Sequence, residues 1–168
     1  MLQLRDLPTT EVLGKFAERY PDADITAVSG FLHLLRVATD LSIALDACLS
    51  KHQLLQGRWW VLILLMREES KTSTPSILAE KAGVSRATMT GLIDGLEQSN
   101  LVARIYTKDD RRSVQIKLTQ AGQAKLDVVM PDYYRRLRKC MQALDANKRE
   151  QLQQVLELIN AGIPALTE

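Results

Sequence analysis

The sequence predicts a mainly α-helical fold with one small antiparallel β-hairpin. Apolar residues recur at helical spacing over most of the 168 residues. Two neighbouring segments, LVARIY and SVQIKL, instead alternate with a period of two, which is typical of strands. Helix-capping and helix-breaking residues separate the periodic segments. An apolar content of 46% is ample for the core of one compact domain with helical extensions.

Two helices are predicted at the N-terminus, over residues 10–20 and 25–50. Pro21 and Asp22 end the first, whose apolar residues lie at helical spacing. The second has apolar positions spread too widely for a single seam: Val28, Phe31, Leu32, Leu35, Leu41, Leu45 and Leu49. Such a helix can pack against its own domain on one side and against another subunit on the other.

Three further helices are predicted between residues 57 and 99. The segment RWWVLILLMREE after Gly57 is almost continuously apolar, which indicates burial on most sides. SKTSTP is predicted to form a turn. Thr74 is a suitable N-cap with Pro75 at the first helical position, and Gly83 ends this short helix. Ser85 caps the next one.

The hairpin follows Asn100, a residue that tolerates the left-handed conformation at a helix end. Its predicted tip is the charged segment TKDDRR. Thr119 is expected to cap a long helix interrupted at Pro131, and Asp145 to cap the last helix.

Helix, glycine turn, second helix and hairpin, in this order, make up a winged helix-turn-helix. The second helix has a buried side with Val84, Leu92, Ile93 and Leu96, and an opposite side with Arg86, Thr88, Thr90, Gly91 and Asp94. Hydroxyls of Ser85 and Thr88 suit phosphates, and Arg86 can reach guanine in the major groove. The alternative is a helical hairpin in the core of an unrelated fold.

Gly91 and Gly95 lie one turn apart on the same helix. Glycine weakens a helix by about 1 kcal/mol per residue relative to alanine, so their presence indicates close backbone approach. The approaching group is DNA or the neighbouring helix.

The hairpin tip contains Asp109, Asp110, Arg111 and Arg112, which make either a solvated loop or a DNA contact. Beside a recognition helix, such a loop can insert an arginine into the minor groove. Asp110 is expected to brace Arg112 or Arg104 through a bidentate ion pair.

The segments AGVSRATMTGLIDGLEQSNLV and DDRRSVQIKLTQAG resemble the recognition helix and the wing of the MarR family of bacterial regulators. The resemblance runs from about Ile25 to the C-terminus. It implies an obligate dimer on pseudo-palindromic double-stranded DNA, frequently controlled by small aromatic or anionic effectors. The candidate DNA contacts, with Arg112 at the wing tip and Asp110 as its brace, are Thr74, Ser85, Arg86, Ala87, Thr88, Thr90, Gly91, Arg111 and Arg112.

The chain departs from the family pattern in two respects. Family members frequently carry a basic residue where Gly91 and Gly95 stand, which predicts fewer base contacts here. Peroxide-sensing members carry a cysteine near the start of the first long helix, where this chain has Val28.

His52, Arg58 and Trp59 are the candidate effector-pocket residues. A tryptophan could stack on an aromatic ring while a cation meets its carboxylate. The alternative, which we favour, places the indoles of Trp59 and Trp60 in the core or the dimer interface.

No cofactor or metal site is predicted, because the histidines and cysteines lack metal-ligand spacing. Cys48 and Cys140 are expected to be reduced and buried, with a redox-sensing regulator as the alternative.

No catalytic motif is present, so the chain is not expected to be an enzyme. No apolar run reaches the length of a membrane span, which predicts a cytoplasmic location without a membrane partner.

The predicted organisation has three parts. Residues 1–56 and 119–168 supply dimerisation helices, and residues 57–118 form the DNA-binding lobe. The predicted function is that of a homodimeric, effector-responsive transcriptional repressor. The alternative from another class is a winged-helix scaffold for protein interactions, which Arg111 and Arg112 disfavour.

Overall fold

A computed structural model describes residues 6–106 and 114–168 of the chain. It divides into two compact units, Met1–Gln123 and Ala124–Glu168. The helices are α1 (Thr10–Arg19), α2 (Ile25–Ser50), α3 (Gln56–Met66), α4 (Pro75–Ala82), α5 (Arg86–Gln98), α6 (Gln120–Cys140) and α7 (Ala146–Gly162), followed by a 3-10 helix (Ile163–Leu166). The strands are β1 (Thr72–Ser73), β2 (Val102–Tyr106) and β3 (Val114–Leu118).

The predicted mainly α-helical fold with an antiparallel wing is confirmed. The three-part division into dimerisation and DNA-binding segments stays a prediction.

Side-chain caps fix where the helices begin. The Asp24 carboxylate accepts the backbone N–H groups of Thr26 and Ala27 at 2.9 and 3.0 Å and starts α2 at Ile25. The hydroxyl of Thr26 also donates to it, and these hydrogen bonds hold the pKa of Asp24 below its ordinary value. Asp145 caps α7 by accepting the N–H of Lys148 at 2.9 Å, as predicted.

Helix α3 supplies the centre of the core of the first unit. Its residues Trp59, Val61, Leu62 and Leu65 have no exposed surface. They are enclosed with buried residues of the neighbouring elements, among them Leu78, Met89, Ile93, Leu96 and Ile116. The almost continuous apolar character of α3 thus reflects burial on most of its sides, as its sequence predicts.

The three strands form one antiparallel sheet in the order β1-β3-β2. Val102 pairs with Leu118 and Tyr106 with Val114, while Thr72 of β1 pairs with Lys117 on the other edge of β3. SKTSTP was expected to be a turn, and this expectation is wrong at Thr72 and Ser73. Two residues are too few to show strand periodicity, so β1 arises from pairing with β3.

Helix α6 continues through Pro131, where the sequence predicted an interruption. Proline removes one backbone donor, and its ring crowds the carbonyl four residues earlier. The α-helical conformation nevertheless extends on both sides of it, so this expectation is wrong.

Helix α2 is mostly apolar and mostly uncovered. Its exposed apolar residues are Val28, Phe31, Leu35, Val37, Leu41 and Ile43. Among the described residues it is the one helix with the length and hydropathy of a membrane span, and this apolar window is not buried within the chain. Arg36 and Asp40 interrupt its apolar residues, so α2 contains no unbroken apolar run of that length. These two residues form an ion pair at 2.7 Å.

Candidate nucleic-acid interface

Helices α4 and α5 and the turn between them form a helix-turn-helix. Thr74 caps α4 by accepting the N–H of Ile77 at 3.3 Å. At the other end Gly83 has φ +64°, the left-handed conformation that its position was predicted to require. Ala79 on α4 is buried, which lets the two helices cross closely. The turn chemistry therefore fixes where α5 begins.

Ser85 caps α5 by accepting the N–H of Thr88 at 3.1 Å. The hydroxyls of these two residues also lie 2.9 Å apart and hydrogen-bond to each other. Both hydroxyls are therefore already engaged in hydrogen bonds within the protein. A phosphate bound as predicted would either replace these hydrogen bonds or be bound in addition to them. The helix N-terminus keeps its favourable potential for an anion.

One side of α5 is exposed and carries most of the predicted DNA contacts. We call it the recognition face, and it comprises Ser85, Arg86, Ala87, Thr88, Thr90 and Gly91, all exposed. The Thr90 hydroxyl donates to the backbone carbonyl of Arg86 at 2.9 Å, which leaves its oxygen able to accept. Thr74, the remaining candidate on these helices, is half-buried. The sequence placed Leu92, Ile93 and Leu96 on the opposite side but overlooked Met89, which is fully buried there.

Gly91 and Gly95 have different surroundings. A Cβ atom at Gly91 would meet nothing within 4 Å, so the backbone there is open to an approaching molecule. A Cβ atom at Gly95 would lie 2.1 Å from a terminal nitrogen of Arg58 on α3. The close approach predicted for Gly95 is therefore made by the neighbouring helix.

Arg104 on β2 is clamped to α5 by two carboxylates. Its guanidinium pairs with Asp94 at 2.5 Å and with Glu97, and its backbone N–H donates to Glu97 at 3.2 Å. The hydrogen bond to Asp94 raises the pKa of Arg104 above its ordinary value despite partial burial, and the two carboxylates add to this effect electrostatically. Asp94, predicted on the recognition face, is half-exposed and serves this clamp instead. Glu97 was not predicted at all.

The wing tip contains the remaining candidates. Asp110, Arg111 and Arg112 lie outside the described residues, so the brace expected from Asp110 stays a prediction. The strands on either side are in register up to the pair Tyr106 and Val114. The wing base is thus fixed relative to α5 by the Arg104 clamp.

A threonine and a glycine join the wing to α6. The Thr119 hydroxyl donates to the carbonyl of Asn100 at 2.7 Å and accepts the N–H of Gly122 at 2.9 Å. A Cβ atom at Gly122 would lie 2.1 Å from the carbonyl oxygen of Leu101. In the sequence Leu-Thr-x-x-Gly, the threonine thus supplies the hydrogen bonds of this junction, and the glycine leaves room for the carbonyl of Leu101.

A family model described as the MarR family matches residues 56–114, from the start of α3 to the start of β3. The transcriptional repressor YetL of Bacillus subtilis is 26% identical over 155 residues, which cover 92% of this chain and 93% of that protein. Residues 56–114 of the chain belong to the MarR family. The regulator PecS of Dickeya dadantii is likewise 26% identical, over 90% of this chain and 92% of its own length. The chain is thus a transcriptional regulator of MarR type.

Solved MarR structures have the same fold. AbsC of Streptomyces coelicolor superimposes with a TM-score of 0.74 at 24% identity, covering 85% of this chain and 97% of its own. Sco3205 of the same organism, solved in complex with DNA, gives 0.74 at 20% identity, with 84% and 92% covered. BpsR of Bordetella bronchiseptica gives 0.66 at 22% identity, with 76% and 96% covered, and its DNA binding is regulated by 6-hydroxynicotinic acid.

The candidate effector residues of this MarR protein have unequal access to solvent. Trp59 has no exposed surface, in line with the core interpretation, and its place in an effector pocket stays a prediction. Trp60 is 38% exposed and is the indole that a ligand can reach. His52 and Arg58 are half-buried.

The cysteines of this MarR protein are more accessible than predicted. Cys48 on α2 is half-buried and Cys140 at the end of α6 is exposed, so the expectation of two buried thiols is wrong. Over residues 6–106 and 114–168, no three histidine, cysteine or acidic side chains are grouped so as to hold a metal ion.

Proposed function

We propose that this MarR protein is a homodimer that binds a pseudo-palindromic operator, with α5 of each subunit in the major groove and the wing in the adjacent minor groove. The observation that carries the proposal is the exposed recognition face of α5. It combines small residues, hydroxyls and one arginine on a helix whose N-terminus is capped and accessible. A major-groove helix needs this combination, because small residues allow close approach and Arg86 can donate to both acceptors of a guanine.

The wing arginines, Arg111 and Arg112, supply the second contact in this proposal. Minor-groove insertion of arginine is favoured where the groove is narrow and its negative potential strong. The clamp between Arg104 and α5 supports it, because a wing base fixed to the recognition helix can place both elements on one DNA duplex.

Three apolar surfaces support the homodimer. Helix α1 exposes Val12 and Phe16, with Tyr20 directly after it, and α2 exposes the residues named above. Within the second unit, α7 exposes a stripe made of Leu152, Val155, Leu156 and Ile159, which Ile163 continues directly after the helix. Soluble monomers rarely leave so much apolar surface uncovered, and a second copy of the chain covers it in the proposed dimer.

The apolar surface of α2 could in principle face a membrane or a protein. Arg36 and Asp40 would lie inside the bilayer if α2 crossed a membrane, and charges at that depth are unfavourable by several kcal/mol. A protein partner tolerates an ion pair at the edge of its interface. We therefore propose a cytoplasmic dimer, with α2 covered by its partner.

An aromatic or anionic effector completes the proposal. Half-buried His52 and Arg58 offer positive charge and Trp60 an accessible aromatic face, and such groups recognise aromatic carboxylates. The regulation of BpsR by 6-hydroxynicotinic acid makes that compound the first probe. Reciprocal coupling requires that operator DNA weaken its binding as much as it weakens DNA binding. Equal probe affinity with and without operator would rule out control by this compound.

The decisive experiment selects bound sequences from a random DNA pool and footprints the product. The expected footprint has two half-sites about 34–36 Å apart and binding that weakens steeply with salt. Arg86→Ala and Arg112→Ala should each weaken operator binding by about 1–3 kcal/mol. Arg67→Ala, which removes an exposed arginine at the far end of α3, is the matched control and should have little effect. Selection of no common sequence, or binding insensitive to salt, would contradict the proposal.

A further inference from the structure

The first turn of α3 lies between the long helix α2 and the recognition helix α5. On the α2 side, the carboxylate of Asp46 accepts the N–H of Gln56 at 3.2 Å, and Ser42 donates to the Gln56 side chain at 2.9 Å. The N-cap residue of α3, Leu55, provides no side-chain cap of its own. Helix α2 therefore supplies the cap that the start of α3 requires.

On the α5 side, the same turn packs against the Leu92 side chain and Gly95. A Cβ atom at Gly57 would lie 2.9 Å from Leu92, so α3 and α5 are in close contact there. One residue later, three atoms of the Arg58 guanidinium lie 2.1 to 2.8 Å from the position of a Cβ atom at Gly95. Arg58 thus occupies the volume that a side chain at position 95 would need.

Packing and helix polarity both account for this position of Arg58. Among the described residues, no carboxylate forms an ion pair with it, so an acidic partner does not hold it there. Its guanidinium instead lies on the C-terminal half of α5, which carries no basic residue in its last turn. A cation is favoured near that end of a helix, and a planar guanidinium can lie flat on a glycine.

We propose that Arg58 is a positioning residue for DNA recognition, which sets the distance between α3 and α5 without touching DNA itself. This inference rests on the proposed operator binding by α5. Helix α2 fixes the start of α3. The contact between Arg58 and Gly95 then fixes the distance from α3 to the recognition helix. Glycine at position 95 leaves room for the guanidinium and is then the complement of Arg58.

The test is a steric double-mutant cycle measured on the full-length protein. Gly95→Ala should displace the Arg58 guanidinium and weaken operator binding roughly tenfold, which corresponds to about 1.4 kcal/mol. The melting temperature should fall little or not at all, because the displaced group is the flexible end of a side chain and alanine favours the helix. Arg58→Ala should weaken operator binding by a similar factor, and the double variant should bind no more weakly than either single variant, since each change removes the same spacer. Two losses of operator affinity that simply add would overturn the steric relationship.

A second set of measurements separates positioning from charge and from general damage. Arg58→Ala should weaken operator binding roughly tenfold while binding to random-sequence DNA and its salt dependence stay nearly unchanged. Arg58→Lys keeps the charge but cannot lie flat, so it should weaken operator binding as Arg58→Ala does. Full rescue by lysine, or equal losses on operator and random DNA, would overturn the inference in favour of a phosphate contact or a purely structural role.

Arg67→Ala is the charge-matched control in both sets. If the unmodified protein selects no operator, the proposed function fails. If it selects one and the Arg58 variants bind it normally, this inference alone fails.

Discussion

The guanidinium of Arg104 on β2 lies 2.5 Å from the carboxylate of Asp94 on α5. Together with the pair to Glu97, this contact joins the wing base to the recognition helix. Both partners are partly exposed, so solvent screens the attraction, and its main contribution is geometric. The orientation of the wing relative to α5 is therefore specified by side chains that need not contact DNA.

Arg104→Ala should lower the free energy of unfolding by about 1–2 kcal/mol, because it removes the hydrogen-bonded charge pairs and leaves two acidic side chains close together. It should also weaken operator binding, because the negative charges of Asp94 and Glu97 are then no longer neutralised by Arg104 and repel the DNA phosphates. Denaturant titration and operator titration measure the two effects. Lys117→Ala, which changes an exposed residue of β3, is the control, and equal behaviour of the two variants would show that the clamp has no role.

Gly122→Ala should destabilise the protein by about 1–3 kcal/mol, since the added methyl group would overlap the backbone carbonyl of Leu101, which cannot move aside like a flexible side chain. Gly91→Ala is the matched control on α5. With open space around it, alanine there should raise stability by about 1 kcal/mol through its higher helix propensity. Thermal unfolding measures both. A neutral Gly122→Ala would mean that the junction between Leu101 and α6 adjusts freely.

Leu41→Glu should convert the protein to a monomer or to aggregates at micromolar concentration, because it places a charge on the apolar surface of α2 where the partner is proposed to pack. Leu41 is 51% exposed within one chain, so the substitution by itself causes little strain. Ile77→Glu changes an exposed residue of α4 in the same way and should leave the dimer intact. Sedimentation distinguishes the outcomes, and an unchanged Leu41→Glu dimer would remove α2 from the interface.

Glu68 forms an ion pair with Lys81 at 2.6 Å, and the hydrogen bond from this lysine lowers the pKa of Glu68 below its ordinary value. A carboxyl group with a lowered pKa in the folded state stabilises the protein above its ordinary pKa. That stabilisation is lost as the pH falls through the folded-state pKa. Glu68→Gln should therefore reduce the loss of stability on acidification, as measured by unfolding from pH 7 to pH 3. Since both side chains are at least partly exposed, solvent screens the attraction and the difference should be small. A steeper loss in the variant would contradict it.

Local chemistry predicted most of the fold. The caps at Thr74, Ser85 and Asp145, and the left-handed positions at Gly83 and Asn100, act within a few residues and are visible in sequence. Helix α2 begins and ends at about the predicted residues, and the Asp24 cap accounts for its start. The limits of the helix-turn-helix therefore follow from interactions between residues that are close neighbours along the chain.

Contacts between distant segments could not be predicted in the same way. Asp94 and Glu97 are three residues apart on α5 and look like solvated surface residues until β2 brings Arg104 between them. The relation of Arg58 to Gly95 depends on the packing of two helices, which periodicity does not specify. Strand β1 exists only through its pairing with β3.

Every newly synthesised copy of this chain carries the apolar residues of α2 uncovered until something packs against them. A chain in that state is a substrate for chaperones and proteases, and its lifetime depends on how soon it is covered. Where the cover is another copy, the amount of protein that survives rises more steeply than its rate of synthesis. Weak expression would then leave the cell with little active regulator. The apolar surface of α2 thereby makes the amount of regulator depend on gene dosage and on protein turnover.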